Sequence, residues 1–205
     1  MLPEHAPFSP EQKSALSQLI PSFTPQQSAW LSGFLASATS SAAPAAAKGG
    51  SAPLTILYGT ESGNAEMLAD KTVKAAKKKG FKPKMVNMSE TEPASLAKVE
   101  NLLVLVSTWG DGDPPDDAEN FCDALRILSE LGEERLRGVG FAVFGLGDSH
   151  YEQFCRCGKE MDRDLERVGG RRVLERVDCD VDITPSFEKW ESEVLGLMRV
   201  EAGVK

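Results

Sequence analysis

The chain has 205 residues, is 41 % hydrophobic and carries a formal charge of -8 at pH 7, enough apolar material for one ordinary core with an appendage left over. The negative balance argues against nucleic acid or an anionic membrane as partner and favours basic proteins. No apolar run approaches the roughly 18 residues of a membrane span, and the N-terminal MLPEHAPFSP lacks the basic-then-apolar layout of a signal peptide, so a cytoplasmic location is expected.

In chain order, two short helical signals come first. Ser9-Pro10-Glu11-Gln12 and Thr24-Pro25-Gln26-Gln27 each place an N-cap hydroxyl before a proline at the first helical position and a glutamine at the third. The helices that follow would carry Leu16, Leu19 and Ile20 in one case, and Trp30, Leu31, Phe34 and Leu35 in the other. Helices this short need something to pack on, and residues 1–36 are expected to serve self-assembly or partner contact as readily as packing on their own domain. Residues 37–53, rich in Ala, Ser, Pro and Gly and almost uncharged, read as a flexible linker. A single domain is expected over residues 54–205.

That domain alternates strand and helix. Apolar runs stand at 54–58, 102–107 and 140–145, with weaker ones at 83–87 and 171–177; helical patterns lie near 64–79, 117–131, 152–168 and 185–200. Five strands alternating with helices make an α/β, doubly wound parallel sheet. The three runs that are apolar throughout are expected at its centre. The four cysteines, Cys122, Cys155, Cys157 and Cys179, form no CxxC, and His5 and His150 are not at zinc spacing from them. Reduced, buried thiols are the expectation, no metal is called for, and Cys155-Arg156-Cys157 is the pair to follow.

In such a sheet ligands bind beyond the carboxyl ends of the strands, where the strand order reverses. GTESGNA, TWGDGDPP and GLGDSHYEQFC follow the three central strands, and with the order 2-1-3-4-5 all three loops share one rim. In the first, Thr60 and Ser62 offer hydroxyls, Gly63 admits close backbone approach, and Asn64 and Ala65 open a helix with free N–H groups. The loop has no GK[ST], so a phosphate monoester held by neutral dipoles suits it better than a triphosphate; a helix N-cap turn without ligand is the other reading. Trp109 on the second loop and Tyr151 on the third can act as plates for a flat heterocycle, or simply pack. Gly145-Leu146-Gly147 begins like a dinucleotide fingerprint, but His150 stands where the third glycine is needed.

With these motifs in view, residues 54–200 resemble the flavodoxin-like FMN domain of diflavin reductases. Within that group the stretch from FGLGDSHYEQFC to VDCDVD, and the N-terminal FTPQQSAWLSGFLAS, resemble the flavoprotein subunit of bacterial NADPH–sulfite reductase. The resemblance implies FMN as cofactor, with Thr60, Glu61, Ser62, Gly63, Asn64 and Ala65 around its phosphate. It implies Ser107, Thr108, Trp109 and Gly110 along one side of the ring. Leu146, Gly147, Asp148, Ser149, His150, Tyr151, Glu152, Gln153, Phe154 and Cys155 would form the other wall, with Tyr151 the second stacking ring. The acidic segment bearing Asp178, Asp180 and Asp182 would border the site. Gly110 would lie near N5 of the ring, where a residue without Cβ can flip its peptide and favour the one-electron state.

No catalytic side chain is required, because the flavin carries the chemistry. The implied role is electron transfer from an FAD/NADPH reductase module to a heme- and iron–sulfur-containing sulfite reductase subunit. FAD and NADPH sites would lie only in that module, so these residues alone should carry electrons without oxidising NADPH. Asp111, Asp113, Asp116, Asp117, Glu119 and Asp123 gather on the second loop and the helix after it. They are expected to steer basic partners, although acids also suit a helix start. Three alternatives remain at this point: the FMN domain of another diflavin reductase, a stand-alone flavodoxin-like electron carrier or quinone reductase, and a magnesium-binding receiver domain. YGTES at the end of the first strand lacks the clustered acids that the last would need.

Overall fold

The computed structural model describes Thr24 and residues 52–198; the two N-terminal helical signals and most of the linker stretch lie outside the described residues. From Ala52 the chain runs β1 (Ala52–Gly59), α1 (Asn64–Lys78), β2 (Phe81–Asn87), two 3₁₀ turns (Met88–Glu90 and Pro93–Lys98) and β3 (Asn101–Ser107). It continues with α2 (Glu119–Glu130), β4 (Gly140–Leu146), α3 (Arg156–Arg167), β5 (Arg171–Arg172), β6 (Val177–Cys179) and α4 (Ile183–Leu197). β1 therefore begins two residues inside the stretch whose composition reads as linker. Among the described residues no helix is long and apolar enough to cross a membrane.

All strand pairs are parallel and the order is β2-β1-β3-β4-β5, with β6 also paired to β4. The expected order holds, and so does the central placement of the three apolar runs: every residue of β3 and β4 is buried. Their side chains alternate between two cores. Leu103, Leu105, Phe144 and Leu146 face α1 and α4, where Phe187 and Trp190 pack on Phe144 with ring centroids 5.6 and 5.2 Å away. Leu102, Val104, Val106, Phe141 and Val143 face the other way, toward Phe121 and Leu125 of α2 and Met161 and Leu165 of α3. Burying each such aromatic or aliphatic side chain stabilises the fold by about 1.5–3 kcal/mol. The two filled layers fix the sheet rigidly enough for loops at its rim to be placed accurately.

The fifth strand is where the fold departs from the sequence pattern. Residues 171–177 read as one strand, yet only Arg171–Arg172 and Val177–Cys179 pair with β4. The cause is a buried carboxylate. Asp162 on α3 accepts two hydrogen bonds from Arg172, both at 2.9 Å, and a third from Arg176 at 3.1 Å. Arg172 also reaches Glu166, and Arg176 reaches Asp178. Two arginines converging on one acid take the chain between them away from the sheet. Such a network is favourable only when complete, since an uncompensated buried charge costs several kcal/mol.

Candidate functional site

β1 leads to β2 on one side and the chain then returns to β3 on the other, so the order reverses between β1 and β3. The loops after β1, β3 and β4 stand beside one another at this end of the sheet, where they enclose a cavity of about 420 Å³. Of the residues expected there, Glu61, Ser62, Asn64, Ser107, Thr108, Trp109, Gly110, Leu146, Gly147, Asp148, Tyr151, Gln153, Phe154 and Cys155 line it. Thr60 and Gly63 shape the first loop beside this lining, and Ala65, Ser149, His150 and Glu152 do not contribute to the wall. Asp180, Val181 and Ile183 complete the lining.

The first loop is shaped by a short turn. The Thr60 hydroxyl accepts the Gly63 N–H at 2.9 Å, which leaves its own O–H free to donate, and α1 starts at Asn64 with its first N–H groups directed out of the helix. The loop is then tied to the second. Asp117 accepts the Thr60 N–H and the Asn87 side-chain amide, both at 2.8 Å, while Glu61 accepts the Asp116 N–H at 3.3 Å. Asp117 is thus a half-buried structural acceptor rather than part of a free acidic face. Asp123 is likewise engaged, in an ion pair with Arg126. The acidic rim reduces to Asp111, Asp113, Asp116 and Glu119.

The second loop is a tight fold-back in which Trp109 and Asp113 exchange two backbone hydrogen bonds of 2.8 and 2.9 Å. Gly110 and Gly112 take φ of +49° and +111°, which side chains with a Cβ rarely adopt. Gly112 is also confined: a Cβ there would lie 2.6 Å from Cβ of Gln153. At Gly110 the space is open. Trp109 and Tyr151 are both more than half exposed, at 56 % and 54 %, on opposite loops of the cavity. Large aromatics are seldom left this open by packing alone.

The third loop is anchored differently. Asp180 accepts the N–H and the hydroxyl of Ser149 and the N–H of Val181, and these bonds hold its carboxyl below the usual carboxylate range. Asp148 accepts both the N–H and the ring Nδ1 of His150, so its own pKa falls and that of His150 rises, each chiefly through these hydrogen bonds. The helical pattern expected from residue 152 begins only at Arg156, because Cys155 has φ of +53°, the one positive value on a non-glycine among the described residues. The buried Cys155 thiol faces the carbonyls of Gly145 and Cys179, each at 3.6 Å. Burial pushes its pKa up to about 12, which keeps the donor proton in place. Cys157 points into the opposite core, so the two cysteines of Cys155-Arg156-Cys157 do not act as a pair.

The model of the family described as flavodoxin matches residues 56–190. The chain belongs to the flavodoxin family. It is 41 % identical, over 93 % of its length, to the sulfite reductase [NADPH] flavoprotein alpha-component of Bacillus subtilis (strain 168), and 35 % identical over 93 % to that of Thiocapsa roseopersicina. It covers 33 % and 36 % of those two proteins, about a third of each. Among solved structures, a point mutant of flavodoxin from Pseudomonas aeruginosa superposes with a TM-score of 0.59 at 26 % identity, covering 71 % of this chain and 98 % of that one.

FMN is the cofactor of this fold family, and the residues present suit it. Thr108 Oγ1 is buried beside the cavity with no hydrogen-bond partner among the described residues. A buried hydroxyl left unpaired costs about 1–3 kcal/mol, an expense that a polar ligand group removes. The cradle of hydroxyls and helix-start N–H groups, without lysine, suits a single phosphate.

The sequence reading missed Asp117 and Asp180 as tethers and Ile183 as wall, while Asp180 and Val181 of the segment expected to border the site do line it. The three acids of the 178–182 segment also separate. Asp178 belongs to the arginine network, Asp180 holds the third loop, and Asp182 precedes α4. The resemblance implied only that the segment borders the site, without separate roles for the three.

Proposed function

We propose that this chain is the FMN-carrying electron-transfer part of an NADPH–sulfite reductase flavoprotein, receiving electrons from an FAD/NADPH reductase module and passing them singly to the heme- and iron–sulfur-containing subunit. The observation that carries this reading is the cavity itself. A phosphate-sized cradle and two open aromatic rings converge there from separate loops, in a chain whose curated relatives are named as such flavoproteins. Bound FMN would supply one- and two-electron redox chemistry. The chain's own residues bind, orient and shield it.

Thr60 and Ser62 would donate hydroxyls to the phosphate, joined by the N–H groups of Glu61 to Ala65. Several such charge-assisted bonds, at about 1.5–3 kcal/mol each, hold a dianion without a lysine. The absence of a cation also keeps the site from drawing further negative charge onto the cofactor. Trp109 and Tyr151 would cover the two faces of the ring. Ser107 to Gly110 would line one edge, with the Thr108 hydroxyl gaining its missing partner, and Leu146 to Asp148 with Tyr151 and Gln153 to Cys155 would line the other. Gly110, in open space and free of a Cβ, can turn its carbonyl toward the ring edge.

Asp111, Asp113, Asp116 and Glu119 would steer basic partners to the exposed edge. Residues 1–36 would serve assembly, joined through the 37–53 linker to the 54–205 FMN domain, in a cytoplasmic complex that suits four free thiols. The test is electron transfer from the photoreduced chain to a purified sulfite reductase hemoprotein subunit. Reduction of the hemoprotein at a rate that falls with added salt is expected. No transfer would remove the proposed role, and a rate indifferent to salt would remove the steering.

A further inference from the structure

We propose that Cys122 and Cys157 form a dithiol that a peroxide closes to an intramolecular disulfide, with Cys122 attacked first. Cys122 lies in the first turn of α2 and Cys157 in the first turn of α3. Both line a second cavity of about 200 Å³, beneath the Gly112–Pro114 part of the Trp109 loop. Cys122 packs against the core cluster that holds Cys157, so the two side chains meet at this cavity. The other two thiols are spoken for: Cys155 faces the Gly145 and Cys179 carbonyls, and Cys179 faces the carbonyls of Asp180 and Ile183.

The pair is asymmetric in the way a sensor needs. Cys122 is half-buried and opens on the cavity, whereas Cys157 is only 3 % exposed. Arg126 and Arg156 line the same cavity, paired with Asp123 and Glu160. The neighbouring Cys122 and burial both push the Cys157 thiol well up. Cys157 therefore rests protonated and does not compete for the oxidant.

In the first step the Cys122 sulfur attacks one peroxide oxygen. The O–O bond breaks, water leaves with the thiol proton, and Cys122 becomes a sulfenic acid. In the second, the Cys157 sulfur attacks that sulfur, the S–O bond breaks, and the Cys157 proton leaves with the hydroxyl as a second water. Two thiols and one hydrogen peroxide give one disulfide and two waters. The cross-link joins the starts of α2 and α3, the helices that lead out of the two loops flanking the larger cavity.

The test uses the full chain treated with hydrogen peroxide, alkylated under denaturing conditions and digested without reduction. A Cys122–Cys157 cross-linked peptide is expected, with Cys155 and Cys179 recovered alkylated. In Cys157→Ser, dimedone should label Cys122 as a sulfenic acid, which reports the order of attack. Recovery of both Cys122 and Cys157 as alkylated thiols, at peroxide levels that oxidise free glutathione, overturns the proposal. So does prior oxidation of Cys155 or Cys179. If Cys157→Ser does not fold, the peptide map of the unsubstituted chain decides the matter alone.

Discussion

The two walls of the cavity are built on different principles. The phosphate loop and the Trp109 loop are neighbours that hold each other, through Asp117 on the Thr60 N–H and Glu61 on the Asp116 N–H. The third loop is fastened from behind, by Asp180 on Ser149 and by Cys155 against two strand ends. Its fastening rests in turn on β6, which the Asp162–Arg172–Arg176 network keeps in place. The first wall should therefore fail locally, and the second should fail with the fold.

The largest effect is expected from Asp162→Ala. It leaves Arg172 and Arg176 without their shared acid, and breaking a buried pair in this way costs about 3–5 kcal/mol. Urea unfolding should show that loss in a single transition. A local loss of cofactor with unchanged global stability would place the network outside the fold's support.

Asp117→Ala comes next. It removes the acceptor of the Thr60 N–H and the Asn87 amide, bonds to a charged group worth about 1.5–3 kcal/mol. FMN affinity, read from quenching of flavin fluorescence, should fall about tenfold or more while the urea midpoint moves less than in Asp162→Ala. Asp180→Ala, whose bonds to Ser149 lie at the surface, should weaken FMN by less than Asp117→Ala does. A larger loss would reverse the ranking of the two walls.

The smallest effect is electrostatic. The raised pKa of His150 and the lowered pKa of Asp148 mean that each stabilises the other while both are charged. The histidine contribution is full below its unfolded pKa of about 6.5 and is lost as pH rises through the higher folded value. The aspartate contribution is present above about 3.9 and is lost as pH falls through the lower folded value. An NMR titration should place the imidazole above 6.5, and Asp148→Asn should bring it down. An imidazole titrating at or below 6.5 would show that the pair does not persist in solution.

These contrasts also mark what a sequence can disclose. The three central strands were legible because apolar runs of five or six residues admit few other placements, and once they were placed, the loops behind them had to share a rim. Trp109 and Tyr151 stood out because their glycine- and acid-rich surroundings give them no core to enter. The tethers were not legible. Asp117 lies 57 residues from Thr60, and Asp180 lies 31 from Ser149, and no local pattern links such distant partners. The break between β5 and β6 was hidden for the same reason, since Arg172 and Arg176 look like surface residues of a strand until Asp162 is brought beneath them. The late start of α3 depends on Cys155 adopting a left-handed conformation, which cysteine composition does not announce.

The central claim is that an uncharged cradle, made of Thr60, Ser62 and the N–H groups opening α1, grips a phosphate. The most direct test is to titrate the flavin-free chain with FMN and with riboflavin, which differ only in that phosphate. Two or more charge-assisted hydrogen bonds at about 1.5 kcal/mol each predict that FMN binds at least about 100-fold more tightly. Equal affinity for the two flavins would contradict the account.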